Sequence, residues 1–222
     1  GWETTPGQAG LIETAESFAQ TSVQAARRAS DPDASLESRK NEVKKLVHAS
    51  HSEYFNNEIE PSAENEPEIE FGVRNALLEA THHIEFSADS DDASANVKAG
   101  SRQFSLNAQT VLDRCDLIAA LGSDTLDVNS VEEINLLTEE LLGLAEANLS
   151  GEDLNGDGVI GGQDPEEYGL KQLQSEIQDM INREDPPYST VEQWYLFNLI
   201  RLPSGKWIFR KNSSGKKGGG SY

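Results

Sequence analysis

Apolar residues recur every three or four positions along most of the chain, which is the spacing of one face of an α-helix. The first apolar stripe lies in residues 8–29 and is followed by the stop signal Asp31-Pro32-Asp33. This stripe consists of Leu11, Ala15, Phe18, Ala19 and Val23. A second helix is predicted from Ser35 to about Phe55, with an apolar stripe of Leu36, Val43, Leu46, Val47 and Tyr54.

Further apolar stripes predict four more helical segments. One begins near Pro67, a favourable first-turn residue, and continues to about Ala88. The next runs from Phe104 to Leu121, and Gly122-Ser123-Asp124 is predicted to separate it from a stripe over residues 131–145. The last contains Leu173, Ile177, Met180 and Ile181. Long amphipathic helices joined by short links predict a multi-helix bundle.

The C-terminal segment has a different period. The stretch QWYLFNLIRLPSGKWIFRK is rich in aromatic and branched residues, and Pro203-Ser204-Gly205 divides it into two runs of strand length. These runs predict a small β-hairpin, which needs a packing partner because isolated hairpins are marginally stable. The final NSSGKKGGGSY is typical of a flexible tail. We therefore expect two regions, a helical bundle over residues 1–192 and a hairpin with its tail over residues 193–222.

Charge divides the chain at the same boundary. The net charge is −21, which argues against binding nucleic acid through a general electrostatic field. Residues 1–192 contain 39 acidic and 12 basic residues, a net charge of −27, and the remainder has six basic residues and no acidic one. The chain is complementary to itself, which predicts a homo-oligomer or polymer. The predicted assembly residues are Trp194, Tyr195, Arg201, Lys206, Trp207, Arg210, Lys211, Lys216 and Lys217.

The beginning of the chain and its hydropathy bear on localisation. Only 36% of the residues are hydrophobic, so the core is expected to be small. The sequence contains no run of 18 or more apolar residues, so no membrane span is predicted. The sequence opens at Gly1-Trp2, as a protein does after a leader is removed, although a trimmed chain begins in the same way. We expect a secreted protein, extracellular or periplasmic.

One short motif carries recognisable chemistry. Residues 153–164 read DLNGDGVIGGQD, which places oxygen-bearing side chains at positions 1, 3, 5 and 12 of an EF-hand calcium loop and glycine at position 6. Ile160 at position 8 is expected to point into the core of the motif, and Gly161 at position 9 leaves that ligand to water. The predicted ligands for one Ca²⁺ are Asp153, Asn155, Asp157 and Asp164, with the backbone carbonyl of Val159.

Aspartate at the last position makes this motif resemble the calcium loop of bacterial dockerin modules and related extracellular EF-hands. The resemblance covers these twelve residues and their flanks. Because dockerins carry two such loops and one is found here, the resemblance implies calcium binding alone. The stripe over residues 131–145 is expected to enter the loop, and Pro165-Glu166-Glu167 to open the exiting helix with Asp164 as its cap. The predicted role of the ion is a structural clip.

Clustered histidines offer an alternative metal site. His48 and His51 lie on the second predicted helix, while His82 and His83 lie on the third. Spacing places His51 at the border of the core and turns His83 inward. If the two helices are neighbours, the clusters meet, with Glu53 or Glu79 nearby, and bind a transition metal or haem iron. Hydrogen-bonded core histidines are the commoner outcome of such a pattern.

No arrangement of nucleophile and base is found, and phosphate loops and nucleophile elbows are absent, so a non-enzymatic role is expected. Cys115, the single cysteine, lies on an apolar stripe and is expected to be an inert core thiol. The sequence therefore predicts a secreted, calcium-binding structural subunit that assembles when its basic C-terminal region docks on the acidic body of a neighbour. The alternative is a periplasmic or secreted metal-binding bundle that uses the histidines.

Overall fold

A computed structural model describes residues 5–54 and 71–184, together with strand residues 193–194, 199–201 and 207–209. This part of the chain is mainly helical, as the apolar spacing predicts. Short 3₁₀ turns occupy Pro6–Gln8 and Pro165–Glu167. The α-helices in the described part are α1 (Leu11–Ala29), α2 (Leu36–Ser50), α3 (Val73–Ala88), α4 (Ala95–Asp127), α5 (Val131–Ser150) and α6 (Leu170–Asn182).

Serine residues fix the starts of three helices. The hydroxyl oxygens of Ser35, Ser94 and Ser130 accept the backbone N–H three residues further on, at 3.2, 3.0 and 3.3 Å respectively. Each bond satisfies one of the N–H groups that the first turn of a helix leaves without a partner. These local signals explain why α2, α4 and α5 begin where they do.

The core consists of two clusters stacked along the bundle. One lies between α1, α3, α4 and α6 and is centred on Phe104, Leu77 and Leu173. The other lies between α1, α2, α4 and α5 and contains Leu46, Ile118 and Leu141. Both α1 and α4 contribute to both clusters, so these two helices connect the two halves of the bundle.

The predicted break at Gly122 is wrong, because α4 continues through it to Asp127. A Cβ atom at residue 122 would lie 2.2 Å from Cγ2 of Val47 on α2. Glycine stands here because the two helices approach closely, and helical hydrogen bonding continues past it. The chain turns instead at Val128, where the backbone becomes extended.

Two other helix ends differ from the prediction. α3 begins at Val73, and the extended backbone of Gly72 precedes it, so the predicted helix does not run continuously into α3. Its predicted start near Pro67 lies outside the described residues. α2 ends at Ser50, because His51 leaves the helical region with φ −142° and ψ 82°. Apolar periodicity does not mark helix ends as clearly as caps do.

Strands β1 (Gln193–Trp194), β2 (Leu199–Arg201) and β3 (Trp207–Phe209) pair in the order β1-β2-β3. Both pairs are antiparallel, with Trp194 opposite Leu199 and Arg201 opposite Trp207. The side chains of these strands and the residues that join them lie outside the described part. The hairpin with its Gly/Lys-rich tail therefore stays a prediction.

The hydropathy of the described helices agrees with the sequence. None of them combines the length and the apolar character that crossing a bilayer requires.

Two helical glycines give opposite predictions for the same substitution. Gly122→Ala should lower the free energy of unfolding by about 1–2 kcal/mol, because overpacking against Val47 outweighs the gain in helix propensity. Gly143→Ala in α5 should raise it by about 0.5–1 kcal/mol, since nothing lies within 4 Å of its added Cβ. Urea unfolding of both variants measures the difference, and equal stabilisation by the two would contradict the close approach of α2 and α4.

Candidate metal centre

The candidate calcium loop, residues 153–164, lies between the end of α5 and the 3₁₀ turn Pro165–Glu167. Gly151 ends α5 with φ 71°, and its N–H donates to the carbonyl of Ala147 at 2.8 Å. Gly169, which caps α6, approaches so closely that an added Cβ would lie 2.2 Å from the nitrogen of Gly151. The loop thus leaves α5 and returns within contact distance of it.

Asp153 organises the first half of the loop. Its Oδ1 accepts the N–H of Gly156 at 2.7 Å, and its Oδ2 accepts the N–H of Gly158 at 2.9 Å. Gly158 has φ 82°, a conformation that other residues resist, as expected for the sixth position of an EF-hand loop. The backbone therefore turns around the carboxylate of the first predicted ligand.

The remaining predicted ligands line one shallow pocket. Asn155, Asp157, Val159 and Asp164 are among its lining residues, whereas Asp153 is not. Oδ1 of Asn155 accepts the N–H of Asp157 at 2.9 Å, and Oδ1 of Asp157 accepts that of Val159 at 2.7 Å. A carboxylate or amide oxygen has two lone pairs, so each of these bonds leaves one lone pair that can bind a cation.

Asp164 caps the following turn, as predicted. Its Oδ1 accepts the N–H of Glu166 at 3.0 Å. The turn is a short 3₁₀ segment, and α6 starts separately at Leu170, so the prediction that Pro165 opens the exiting helix is wrong. The physical reason is that Tyr168 and Gly169 are extended, with ψ 138° and −177°.

Ile160 is less buried than predicted, and the neighbouring Val159 is also exposed. Ile160, predicted to point into the core of the motif, is 38% exposed, and Val159 is 60% exposed. Gly161 at position 9 has φ 92°, and an added Cβ would lie 3.0 Å from the ring of Tyr168. Glycine is needed there because both the backbone conformation and the tyrosine ring disfavour a side chain.

Glu167 binds the backbone of the loop through its carboxylate. Residue spacing in the sequence did not identify it. Its side chain is fully buried. Oε1 accepts the N–H groups of Leu154 at 3.2 Å and Asn155 at 3.1 Å, while Oε2 accepts that of Gly161 at 3.0 Å. Three backbone donors from both halves of the loop therefore converge on one carboxylate, which lies three residues beyond the motif.

Arg114 of α4 fixes the segment that carries Glu167. Its guanidinium donates to the carbonyls of Glu166 and Tyr168, the latter at 2.6 Å. Burial lowers the pKa of Arg114, and the carboxylates of Glu152 and Glu166 oppose that shift. The loop is thus anchored to the centre of the bundle through backbone carbonyls.

The histidine clusters do not meet. Gly72, just before α3, lies against the backbone of His48 and Ala49 at the end of α2. His82 lies ten residues after Gly72, which is about 15 Å along α3. His82, His83 and Glu79 are all exposed, so the prediction that His83 points inward is wrong. The reason is that the buried stripe of α3 ends at Thr81.

His51 borders the core, as predicted, with a side chain 14% exposed. Its Nε2 lies 3.3 Å from Oδ1 of Asp116, and Arg74 donates to the same oxygen at 2.7 Å. Burial, followed by the charge of Arg74, lowers the pKa of His51, although Asp116 and Glu53 act to raise it. The charged groups nearest to His51 are thus Asp116 and Arg74, which form an ion pair with each other.

No group of three or more His, Cys, Asp or Glu side chains within residues 5–54 and 71–184 is arranged to hold a metal ion. The three aspartates of the candidate loop are therefore not gathered into one cluster in this structure. The calcium prediction also uses an amide and a backbone carbonyl. It stays a prediction, as does the histidine alternative, for which the described residues supply no converging ligands.

Cys115 is completely buried, as expected for a core thiol. Asn148 donates to its Sγ at 3.3 Å, and burial, reinforced by Asp116, raises the pKa of the thiol to about 12. The thiol is protonated at neutral pH, which makes it a poor nucleophile and a poor metal ligand.

The predicted assembly residues belong to the C-terminal region. Trp194, Arg201 and Trp207 lie in the strands, where the backbone alone is described. Their side chains and the remaining members of the set lie outside the described residues.

Comparison with known proteins gave no relative. No family model matches the chain, and neither the curated proteins nor the solved structures contain a match.

Proposed function

We propose that this protein is a calcium-binding structural subunit that assembles with other copies of itself. The observation that carries the proposal is the conformation of residues 153–164, where the backbone wraps around Asp153 and Gly158 adopts φ 82°. Asn155, Asp157, Val159 and Asp164 line the adjacent pocket. Oxygen ligands of this number and type suit Ca²⁺, which tolerates irregular coordination better than Mg²⁺ does.

The bound ion would act as a clip. Asp153 and Asp164 are the first and last ligands, and they lie next to α5 and to the turn that leads into α6. Glu167 and Arg114 already attach this loop to the bundle, so calcium would add a link between segments that are close together. An affinity of about 10⁻⁴–10⁻³ M, typical of extracellular modules, would keep such a site filled outside the cell. Secretion is part of the proposal.

The calcium site is tested by isothermal titration of the full chain. The wild type should bind one Ca²⁺, and Asp157→Asn should weaken binding by about tenfold or more, because it removes a charged ligand. Asparagine keeps the oxygen that accepts the N–H of Val159, so the loop fold is preserved. Asp91→Asn, at an exposed residue between α3 and α4, is the matched control. A wild type without saturable binding would overturn the calcium proposal.

Assembly rests on the division of charge along the chain. The acidic body of residues 1–192 and the basic region after it attract each other in different copies, and a contact between two unlike surfaces repeats into a ring or an open filament. Salt screens attractions between exposed charges. The proposed assembly should therefore dissociate as the ionic strength rises.

Light scattering of the full chain in millimolar calcium tests assembly. The wild type should form large particles at low salt. A full-length variant with Lys206, Lys211, Lys216 and Lys217 changed to glutamine should stay monomeric under the same conditions. A monomeric wild type would overturn the assembly proposal and leave the calcium proposal standing.

A further inference from the structure

α5 differs in charge from the other described α-helices. It contains five glutamates and no lysine or arginine. Each of the other α-helices in the described part has at least one basic residue, for example Arg27, Arg39, Arg74, Lys98 and Lys171. α5 is thus the described α-helix in which no basic residue offsets the negative charge.

The glutamates of α5 are all exposed. Among the ion pairs of the described residues, one reaches α5, where Arg27 lies 2.7 Å from Glu146. The other four, Glu132, Glu133, Glu139 and Glu140, lie in the N-terminal half of the helix. Their charges face solvent without a lysine or arginine from the described bundle.

An exposed leucine lies among these four glutamates. Leu136 is 69% exposed, and it follows Glu132 by four residues and precedes Glu140 by four. Residues at these spacings share one side of a helix. The opposite side of α5 carries Ile134 and Leu141, which are buried. We call Glu132, Glu133, Leu136, Glu139 and Glu140 the outer face of α5.

We propose that the outer face of α5 is the docking surface for the basic C-terminal segment, residues 193–217, of another copy of this chain. This inference rests on the proposed assembly and names the surface that it uses. The segment has six basic residues and no acidic one, and the apolar run Trp207-Ile208-Phe209 lies between Lys206 and Arg210. A basic segment with an apolar centre complements an acidic face with an exposed leucine.

The register of α4 and α5 locates this face at one end of the bundle. Asn148 of α5 donates to Cys115 of α4, and Arg114 donates to the carbonyl of Ala147, so these residues are level with one another. Leu136 lies twelve residues before Asn148, which is about 18 Å of helix. Because α4 and α5 are antiparallel neighbours, Leu136 is level with the C-terminal end of α4.

The described part of the body ends at Glu184, at the other end of the bundle. Oε1 of Glu184 accepts hydrogen bonds from Ser94 at 2.5 Å and from Asn96 at 2.6 Å, at the start of α4. α4 has 33 residues and is therefore about 50 Å long. Glu184 is thus held about 40–50 Å from the outer face of α5.

That distance favours a second copy over the same chain. From Glu184 to Gln193 the chain takes nine steps, which span at most about 32 Å when fully extended. β1 begins at Gln193, β2 pairs with β1, and β3 pairs with β2, at about 4.8 Å per strand. The paired strands of one chain therefore reach at most about 42 Å, the near limit of the distance to their own α5, and only with the link fully extended, which costs conformational entropy. Docking on a neighbouring copy does not require that extension.

A matched pair of full-length variants tests the surface. The first changes Glu132, Glu133, Glu139 and Glu140 to glutamine. The control carries Glu79→Gln, Asp89→Asn, Asp91→Asn and Asp179→Asn, which alter the net charge equally at exposed residues elsewhere. Sedimentation should show that the α5 variant associates about tenfold or more weakly than the wild type, whereas the control associates normally. Circular dichroism checks that both variants fold.

Other outcomes of this experiment would contradict either the docking surface or the proposed assembly. Normal assembly of the α5 variant, or equal loss in both variants, would overturn docking on α5 while the proposed assembly stands. A monomeric wild type would overturn the proposed assembly and this inference with it.

A charge exchange tests whether docking occurs between chains. One variant has the four α5 glutamates changed to lysine, and the other has Lys206, Lys211, Lys216 and Lys217 changed to glutamate. Each alone should fail to assemble, because its two surfaces repel each other. An equimolar mixture should recover large particles, since every contact then joins opposite charges. A mixture that stays monomeric would overturn the proposal.

Discussion

Replacing Arg39 by methionine should lower the free energy of unfolding by about 2–4 kcal/mol. Arg39 is 2% exposed and joins three helices. From α2, its Nε donates to the carbonyl of Ala29 in α1 at 2.5 Å, and its Nη1 and Nη2 donate to Asn135 at 2.7 Å and Thr138 at 3.0 Å in α5. Methionine fills similar space but donates no hydrogen bond.

The size of this effect depends on what is left behind. The carbonyl of Ala29 and Oγ1 of Thr138 would lose a charged donor in a buried region, and each unsatisfied acceptor costs about 1–3 kcal/mol. Removing a buried guanidinium offsets part of this loss, because no carboxylate among the described residues pairs with it. The net result should remain a clear destabilisation.

Chemical denaturation measures the free energy of unfolding for the Arg39 prediction, and thermal unfolding gives a second readout. Lys44→Met is the control, because Lys44 is an exposed residue of the same helix. The midpoint of thermal unfolding should fall by roughly 5–15 °C for Arg39→Met and change little for Lys44→Met. Equal stability of the two variants would show that the three-helix junction does not depend on Arg39.

Glu167→Gln should destabilise the protein by about 2–4 kcal/mol and weaken calcium binding by about tenfold or more. Its carboxylate accepts three backbone N–H groups while fully buried. Hydrogen bonds to a charged acceptor are stronger than neutral ones. Glutamine has one acceptor oxygen, so its NH₂ group would face either Gly161 or the pair Leu154 and Asn155.

Two measurements separate the roles of Glu167. Urea unfolding without calcium reports on the stability of the fold. Calcium titration of the folded protein, without urea, reports on the loop. Glu166→Gln is the control, because Glu166 is exposed and adjacent. Unchanged calcium affinity in folded Glu167→Gln would show that Glu167 supports the fold without positioning the loop.

Local patterns predicted much of the helical architecture. Apolar stripes identified the cores of α1, α2, α5 and α6, because a buried helix face repeats every three to four residues whatever it packs against. The turn glycine Gly158 and the cap Asp164 were also predicted, since both depend on residues a few positions away. Such features depend on short-range geometry, which spacing records directly.

Two of the wrong predictions involved contacts between distant segments. The residues Gly122-Ser123-Asp124 are typical of a turn. Only the close approach of Val47 explains why a glycine stands at position 122 of a continuous α4. His83 lies at the edge of an apolar stripe, and only the packing of α3 decides that it faces solvent. A periodic pattern shows that a face exists, but it does not show how far along the helix a neighbour covers it.

The sequence by itself determined the helical content, the separation of an acidic body from a basic C-terminal region, and the ligand spacing of residues 153–164. Tertiary structure decided which polar groups are buried and what they bind. Arg39 meets Asn135 and Thr138 across 96 and 99 residues of chain, and Glu167 receives the N–H groups of a loop that has folded back on it. A buried polar side chain is stable only with its partners in place, and those partners are brought together by folding, not by spacing.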